Sequence, residues 1–529
     1  MTTRRLDADV VVIGAGFSGT LLAMALRQRG RSVLIVERGR HPRFAIGESS
    51  TPLANVLLEE LAATYDLPRV APLAKWGSWR RAYPDLPVGL KRGFTFFHHT
   101  PDHEFGDDLA HSRQLMVAAS PHDEIADTHW YRPAFDAFLA REAQAAGAEL
   151  LDQTDVTAVR FEGDAVSLDL TGPGAVRSTI SSRFLVDASG PRGALHRLLG
   201  LADRPTRWLP PTEAVYSHFE GVERWDEAVQ PASGVPYPAD DAALHQVFPG
   251  GWIWILRFGN GVTSAGAALT EPLARALKVE QGEAAWTRLL DWLPSVRRQF
   301  DGARPTVPFV HARRIAYRTD VLAGERWAML PSAAGVIDPL LSTGFPLTLL
   351  GVCRLADLLE QTWTGNRRAA ALEAYARQTQ RELDTTERLV AALYACMGDF
   401  DLFKRIARVY FAAASFGEAA RRLGRRDLAP GFLLCDHPTF GPASRAIADI
   451  ALMRPTDRER ASLCDEIDRT IEPFDIAGLG DGRRRDWYPV LPEDLMTARR
   501  KLDATAHDIE ALLQRCGFSL AGRGLPVAD

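Results

Sequence analysis

The chain has 529 residues, 46% hydrophobic and 24% charged, with a formal charge of −5 at neutral pH. That length and composition supply a large buried core, enough for one two-part protein or a few modest domains. Acidic residues outnumber basic ones by 67 to 62, and no basic block occurs, which argues against nucleic acid as a partner.

The opening apolar run is short, punctuated by glycine, and feeds a strand–turn–helix pattern, so it does not read as a leader peptide. No stretch approaches 18 uninterrupted apolar residues, and no membrane span is expected. Cys353, Cys396, Cys435, Cys464 and Cys516 form no CxxC pair. They make neither a disulfide framework nor a metal site, and a soluble, cytoplasmic protein is the expectation.

Residues 9–13 (DVVVI) read as a buried parallel strand that runs into GAGFSG, and "TLLAMALRQRG" then has helical spacing. "SVLIVER" gives a second strand that ends at Glu37. This is a β-α-β unit with GxGxxG at its first turn and an acidic residue closing its second strand, the pattern of a dinucleotide site. Gly14, Gly16 and Gly19 let backbone approach a pyrophosphate, with Ser18 in the same turn, and the helix N-terminus faces the negative charge. Glu37 is placed to accept hydrogen bonds from a ribose. Two further glycine-bearing strand ends follow, at 184–190 (FLVDASG) and 327–335 (WAMLPSAAG). No second GxGxxG follows a strand, so a separate nicotinamide domain is not indicated. Stretches at roughly 155–185 and 211–270 read as a second, mostly antiparallel sheet over the cofactor. From about 366 the pattern turns helical, and "GLGDGRRRDWYP" reads as a loop between helices. The expected fold is therefore α/β: a Rossmann-type FAD-binding region (1–200 and 301–365), a β-sheet substrate region (201–300) and a helical C-terminal region (366–529).

Several segments together resemble the flavin-dependent halogenases, which share an FAD fold with the aromatic hydroxylases. They are GAGFSG, "HPRFAIGESSTP" (41–52), "GLKRGFTFFHH" (89–99), "YRPAFDAFL" (131–139), "DASG" (187–190), "GWIWILRF" (251–258) and "DPLLSTG" (338–344). The beginning of the chain looks most like halogenases of small phenols, of the phloroglucinol type. The resemblance implies FAD, used as FADH2 from a separate NADH-dependent flavin reductase, with dioxygen and chloride or bromide as co-substrates. It places Arg43, Gly47, Glu48, Ser49, Asp187 and Asp338 at the cofactor, and the halide on the backbone of Thr343 and Gly344. Lys91, flanked by Gly89 and Gly93, would act on hypohalous acid beside an electron-rich aromatic substrate, free or tethered to a carrier protein. Lys75 lacks the x-Gly-x-x-Phe sequel. Trp252 and Trp254, on one face of a strand by their period-2 spacing, would line a tunnel and keep the substrate from the flavin.

Three departures from the family pattern leave alternatives open. After the tryptophans the family continues with Ile-Pro, and this chain has Leu256-Arg257. A flavin-binding Gly-Asp is replaced by Pro331-Ser332, which removes a charge-assisted hydrogen bond of about 1.5–3 kcal/mol; Ser332 restores only part of it, and weak FAD retention follows. The glutamate that tryptophan halogenases carry two residues before the threonine of the STG turn is Leu341 here. A phenol, whose oxygen already donates electron density to the ring, needs such help least. His98 and His99 are candidates to assist a phenolic proton. The alternatives are a halogenase-like flavin monooxygenase or dehydrogenase, and a flavin-binding protein without turnover.

Overall fold

The computed structural model describes residues 4–229 and 234–518. Its first sheet runs in the order Ala323–Gly324, Trp327–Met329, Arg177–Asp187, Arg4–Ile13, Val33–Val36, Glu149–Leu151. From Trp327–Met329 onward the neighbours are parallel. Val10, Val11 and Val12 are fully buried, as a strand covered on both faces requires. Helix Phe17–Gln28 packs between Arg132–Ala145 and Gly344–Thr362. This is the Rossmann-type α/β region.

Strands Asp155–Glu162 and Ala165–Thr171 do not belong to the covering sheet expected over 155–185. They pair antiparallel with each other, and Ala165–Thr171 pairs antiparallel with the first half of Arg177–Asp187, so the two form a flank of the parallel sheet. Along Ala165–Thr171 only Val166, Leu168 and Leu170 are buried. One-sided alternation of that kind is the sequence pattern of any half-covered antiparallel sheet, so it did not reveal which sheet the strands join.

Among the described residues the second sheet has nine strands. Its centre runs Thr212–Glu220, Thr263–Thr270, Gly251–Arg257, Ala243–Phe248, Gly93–His98, Gln114–Ala118. Gly93–His98 and Gln114–Ala118, which the sequence reading grouped with the cofactor region, are hydrogen-bonded into it, and so are Arg304–Pro305 and Val310–Ala312. Within Gly251–Arg257, Ile253 and Ile255 face a core built on Trp286, Leu289 and Phe300. Trp252 and Trp254 face the other way, into the core shared with the cofactor half and the C-terminal helices.

The C-terminal region is helical, led by Arg368–Ala395 and Phe400–Arg422. Its last apolar-periodic stretch is broken by Asp503 in the left-handed conformation, and Ala506–Arg515 restarts behind a Thr505/Asp508 capping box. The loop expected in "GLGDGRRRDWYP" contains Trp487–Tyr488, which adds an edge strand beside Gln114–Ala118. No described helix is long and apolar enough to cross a membrane.

Candidate active site

The first turn is built for close backbone approach. Gly14 has φ +103°, and a Cβ there would stand 2.5 Å from the Ala188 carbonyl oxygen; on Gly19 it would stand 2.1 Å from the Gly14 carbonyl oxygen. Two guanidiniums converge on the same turn, those of Arg43 and Arg132, each 3.7 Å from where a Gly16 Cβ would be. Arg132 is fixed by Asp136 and by the carbonyls of Ile46 and Gly47. Arg43 Nε and His41 Nδ1 are buried without partners. Glycines, two cations and the orphaned Arg43 Nε donor around a helix N-terminus suit a pyrophosphate, so the residues fit FAD. Sequence reading missed Arg132, although it stands in the quoted "YRPAFDAFL"; its signal is a cation at the start of a helix, beside proline.

Glu37 accepts hydrogen bonds from Ala15 N (2.9 Å) and Gly39 N (2.7 Å). Burial opposes its charge, but the Arg43 guanidinium and these donors outweigh burial and hold the carboxyl below its ordinary range. Asp187 commits one oxygen to Ser189 and the other to Leu195 N, so it shapes the 187–195 turn. Glu48 pairs with His218 of the second sheet at 2.8 Å, both side chains being buried. Ser332 lies in the short helix Pro331–Ala334 and is half-buried.

Lys91 is 0% exposed. Its ammonium donates to Ser49 Oγ (2.8 Å) and the Ser50 carbonyl (2.5 Å), and lies 3.8 Å from the centre of the Phe94 ring. Ser49, expected at the cofactor, thus meets the lysine. The missing side chains of Gly89 and Gly93 make way for neighbouring backbone: a Cβ would stand 2.0 Å from the Arg257 carbonyl oxygen at Gly89 and 2.2 Å from that of Val117 at Gly93. Burial pulls the lysine well below its usual pKa, and the Asp127 carboxylate opposes that pull. Asp127 is driven upward by burial in turn. It is the cross-strand partner of Lys91 between Val88–Lys91 and Asp127–Trp130. Lys75 is partly exposed and pairs with Glu59.

Trp252 and Trp254 are buried, with ring centres 5.7 Å apart. A Cβ on Gly266 would stand 2.4 Å from the Trp254 ring, so glycine opposite that tryptophan gives it its space. Trp252 Nε1 donates to Tyr394 Oη (3.1 Å), which donates to Asp338 Oδ2 (2.9 Å). Tryptophan strand, C-terminal helix and DPLLSTG turn are thereby locked together. Burial pushes Asp338 up to about 7. Arg257, standing where the family has proline, ties the strand end to Asp240 and the Val222 carbonyl. That substitution is absorbed without disturbing the pairing of Trp252 or Trp254.

In the DPLLSTG turn, Leu341 (φ +65°) and Ser342 (φ +53°) are left-handed, between right-handed Pro339 and Thr343. A change of hand between successive residues, here Ser342 and Thr343, forms the kind of N–H concavity that takes anions, and it opens the 19-residue helix Gly344–Thr362. Thr343 is buried, and a Cβ on Gly344 would meet nothing within 4 Å. Tyr410 Oη donates to the Leu341 carbonyl (2.9 Å) and holds the strained residue.

A cavity of about 200 Å³ is lined by Asn55, Lys75, Phe94, Asp127, Tyr410 and Phe411; Lys91 does not line it and lies behind Phe94 and Asp127. Leu491, Leu495 and Leu512 complete it, so the C-terminal region, for which sequence reading had no role, roofs this cavity. His98 and His99 do not face it. They bond the Met397 carbonyl and Gln246 Oε1, and burial holds His99 down at about 4. Among the described residues no His/Cys/Asp/Glu group could hold a metal.

The profile of the FAD dependent oxidoreductases matches residues 9–335. Tetracycline 7-halogenase of Kitasatospora aureofaciens is 30% identical over 421 residues, 77% of this chain and 74% of its own. Monodechloroaminopyrrolnitrin halogenase PrnC of Pseudomonas fluorescens is 28% identical over 417 residues, 78% of this chain and 72% of its own. Among solved structures, halogenase PltM in complex with phloroglucinol and FAD superposes with a TM-score of 0.80 at 25% identity, over 90% of this chain and 99% of its own.

Proposed function

The chain belongs to the FAD-dependent oxidoreductases and, within them, to the flavin-dependent halogenases, and from that premise we propose that it chlorinates or brominates a phenol held in the cavity lined by Phe94 and Asp127, with Lys91 behind them. The observation that carries this reading is the combination of a fully buried lysine with a largely apolar cavity of about 200 Å³, room for a small aromatic. The solved relative that binds phloroglucinol supports the same substrate class.

Reduced FAD, when bound, supplies the electrons with which dioxygen oxidises halide to hypohalous acid. The glycine turn, Arg43 and Arg132 bind its pyrophosphate, and Glu37 orders the turn beside the ribose. The backbone of Thr343 and Gly344 holds the halide. Trp252 and Trp254, fixed through Tyr394 and Asp338, keep the aromatic substrate away from the flavin. The Lys91 ammonium, oriented by Ser49 and Ser50, hydrogen-bonds hypohalous acid and polarises its oxygen–halogen bond toward the ring. A separate NADH-dependent flavin reductase supplies FADH2, consistent with one glycine-rich dinucleotide turn in the chain.

The test is turnover with a flavin reductase, NADH, FAD, bromide or chloride and a panel of phenols, read by mass spectrometry. A halogen isotope pattern that disappears in Lys91→Ala is expected. Oxygen insertion independent of halide would replace this reading by a monooxygenase.

A further inference from the structure

Asp127 is 4% exposed and lines the cavity. Its Oδ1 accepts from Asn55 Nδ2 at 2.6 Å, whereas Oδ2 is buried without a donor. Buried acceptors in native structures are nearly always satisfied, so this one calls for a donor inside the cavity. The charged groups acting on it are Lys91, its cross-strand partner, and Glu418 and Arg422 from helix Phe400–Arg422. Lys91 does not fill the open oxygen, since its ammonium is held by Ser49 and Ser50.

We infer that Asp127 is the proton acceptor for the substrate's hydroxyl, a catalytic carboxylate delivered from the strand opposite Lys91. The inference rests on the phenolic reading above and deepens it. As the ring carbon bonds to the halogen, the oxygen–halogen bond of hypohalous acid breaks. The departing hydroxide takes a proton from the Lys91 ammonium and leaves as water, while Asp127 takes the phenolic proton, so the ring passes to a neutral dienone. Loss of the ring proton to Lys91 and return of the Asp127 proton to oxygen restore the phenol. The sum is one hypohalous acid and one aryl hydrogen converted to aryl halide and water. Lysine and carboxylate side by side thus allow the ring to gain electron density as the electrophile arrives, with Leu341 where tryptophan halogenases have a glutamate.

The test compares a phenol with its methyl ether in the wild-type enzyme and in Asp127→Asn, whose amide oxygen still accepts from Asn55. Phenol turnover is expected to fall about 100-fold and ether turnover far less. Equal losses on both would overturn the role of Asp127 and leave the phenolic reading standing; a wild type that takes the ether as readily as the phenol would sink both. A second readout needs no turnover: 4-nitrophenol affinity measured across its ionisation. The wild type should bind the neutral phenol and lose affinity for the phenolate, which meets the Asp127 carboxylate, while Asp127→Asn keeps it. Equal wild-type affinity for both forms overturns the inference without recourse to any variant.

Discussion

Replacing Lys91 by methionine together with Asp127 by asparagine removes both charges from a buried site while nearly keeping its volume. Each charge is held there against burial, which lowers the lysine pKa and raises the carboxyl pKa. Exchanging two neighbouring buried charges of opposite sign for uncharged groups of similar shape is commonly neutral or stabilising, by about 1–4 kcal/mol. Against that gain stands the Ser50 carbonyl, which loses its lysine donor at a cost of about 1 kcal/mol. The double variant should therefore be as stable as the wild type, or up to about 3 kcal/mol more stable, and inactive. Lys91→Met alone should be destabilised by about 3–5 kcal/mol at pH 8, because an ionised Asp127 is left unpaired. The sign with pH is fixed: a carboxyl whose folded pKa lies above its unfolded value gives full stability below the unfolded value and loses it as pH rises through the folded one. The single variant should thus recover toward pH 5. Urea unfolding followed by tryptophan fluorescence at both pH values, across all four members of the cycle, measures this. A double variant clearly weaker than the wild type would mean that the pair serves stability, and the catalytic reading of Lys91 would lose its physical basis.

Asp338, held up to about 7 by burial, keeps its proton in the folded state at pH values where the unfolded chain has released it. Its contribution is full below about pH 4 and fades by pH 7, at most about 4 kcal/mol; Asp338→Asn should flatten that part of the stability–pH curve, and an unchanged curve would show that Asp338 is already ionised. Arg132→Ala should weaken FAD binding about 10- to 100-fold through loss of a charge-assisted contact, measured by quenching of flavin fluorescence; unaltered affinity would remove Arg132 from the pyrophosphate site.

The cofactor half was legible because its constraints are local. A strand, GxGxxG, a helix and a second strand ending in Glu37 lie within 37 residues, and Gly14 and Gly19 each answer to a backbone contact. The tryptophan face was legible for the same reason: period 2 puts Trp252 and Trp254 on one side, and the structure separates them from Ile253 and Ile255. Sheet membership was not local. Gly93–His98 lies far along the chain from its partner Ala243–Phe248, and nothing in either segment announces the other.

The same distinction explains why the lysine could be singled out and the carboxylate could not. Lys91 stands in a run of glycines and aromatics that the family resemblance makes conspicuous. Asp127 stands in "DTHW", where an aspartate before a strand reads as an ordinary turn residue. What makes it reactive is the pairing of Val88 with Trp130, which fixes the register and sets Lys91 opposite Asp127 at the far end of the ladder. A one-residue slip would turn the carboxylate to the other face. The large side chains of Trp79 and Trp130, each packed against the ring of Phe135, resist such a slip, because Trp130 is fully buried. The aromatic core beneath the ladder thereby places two charges beside a cavity where neither would settle alone.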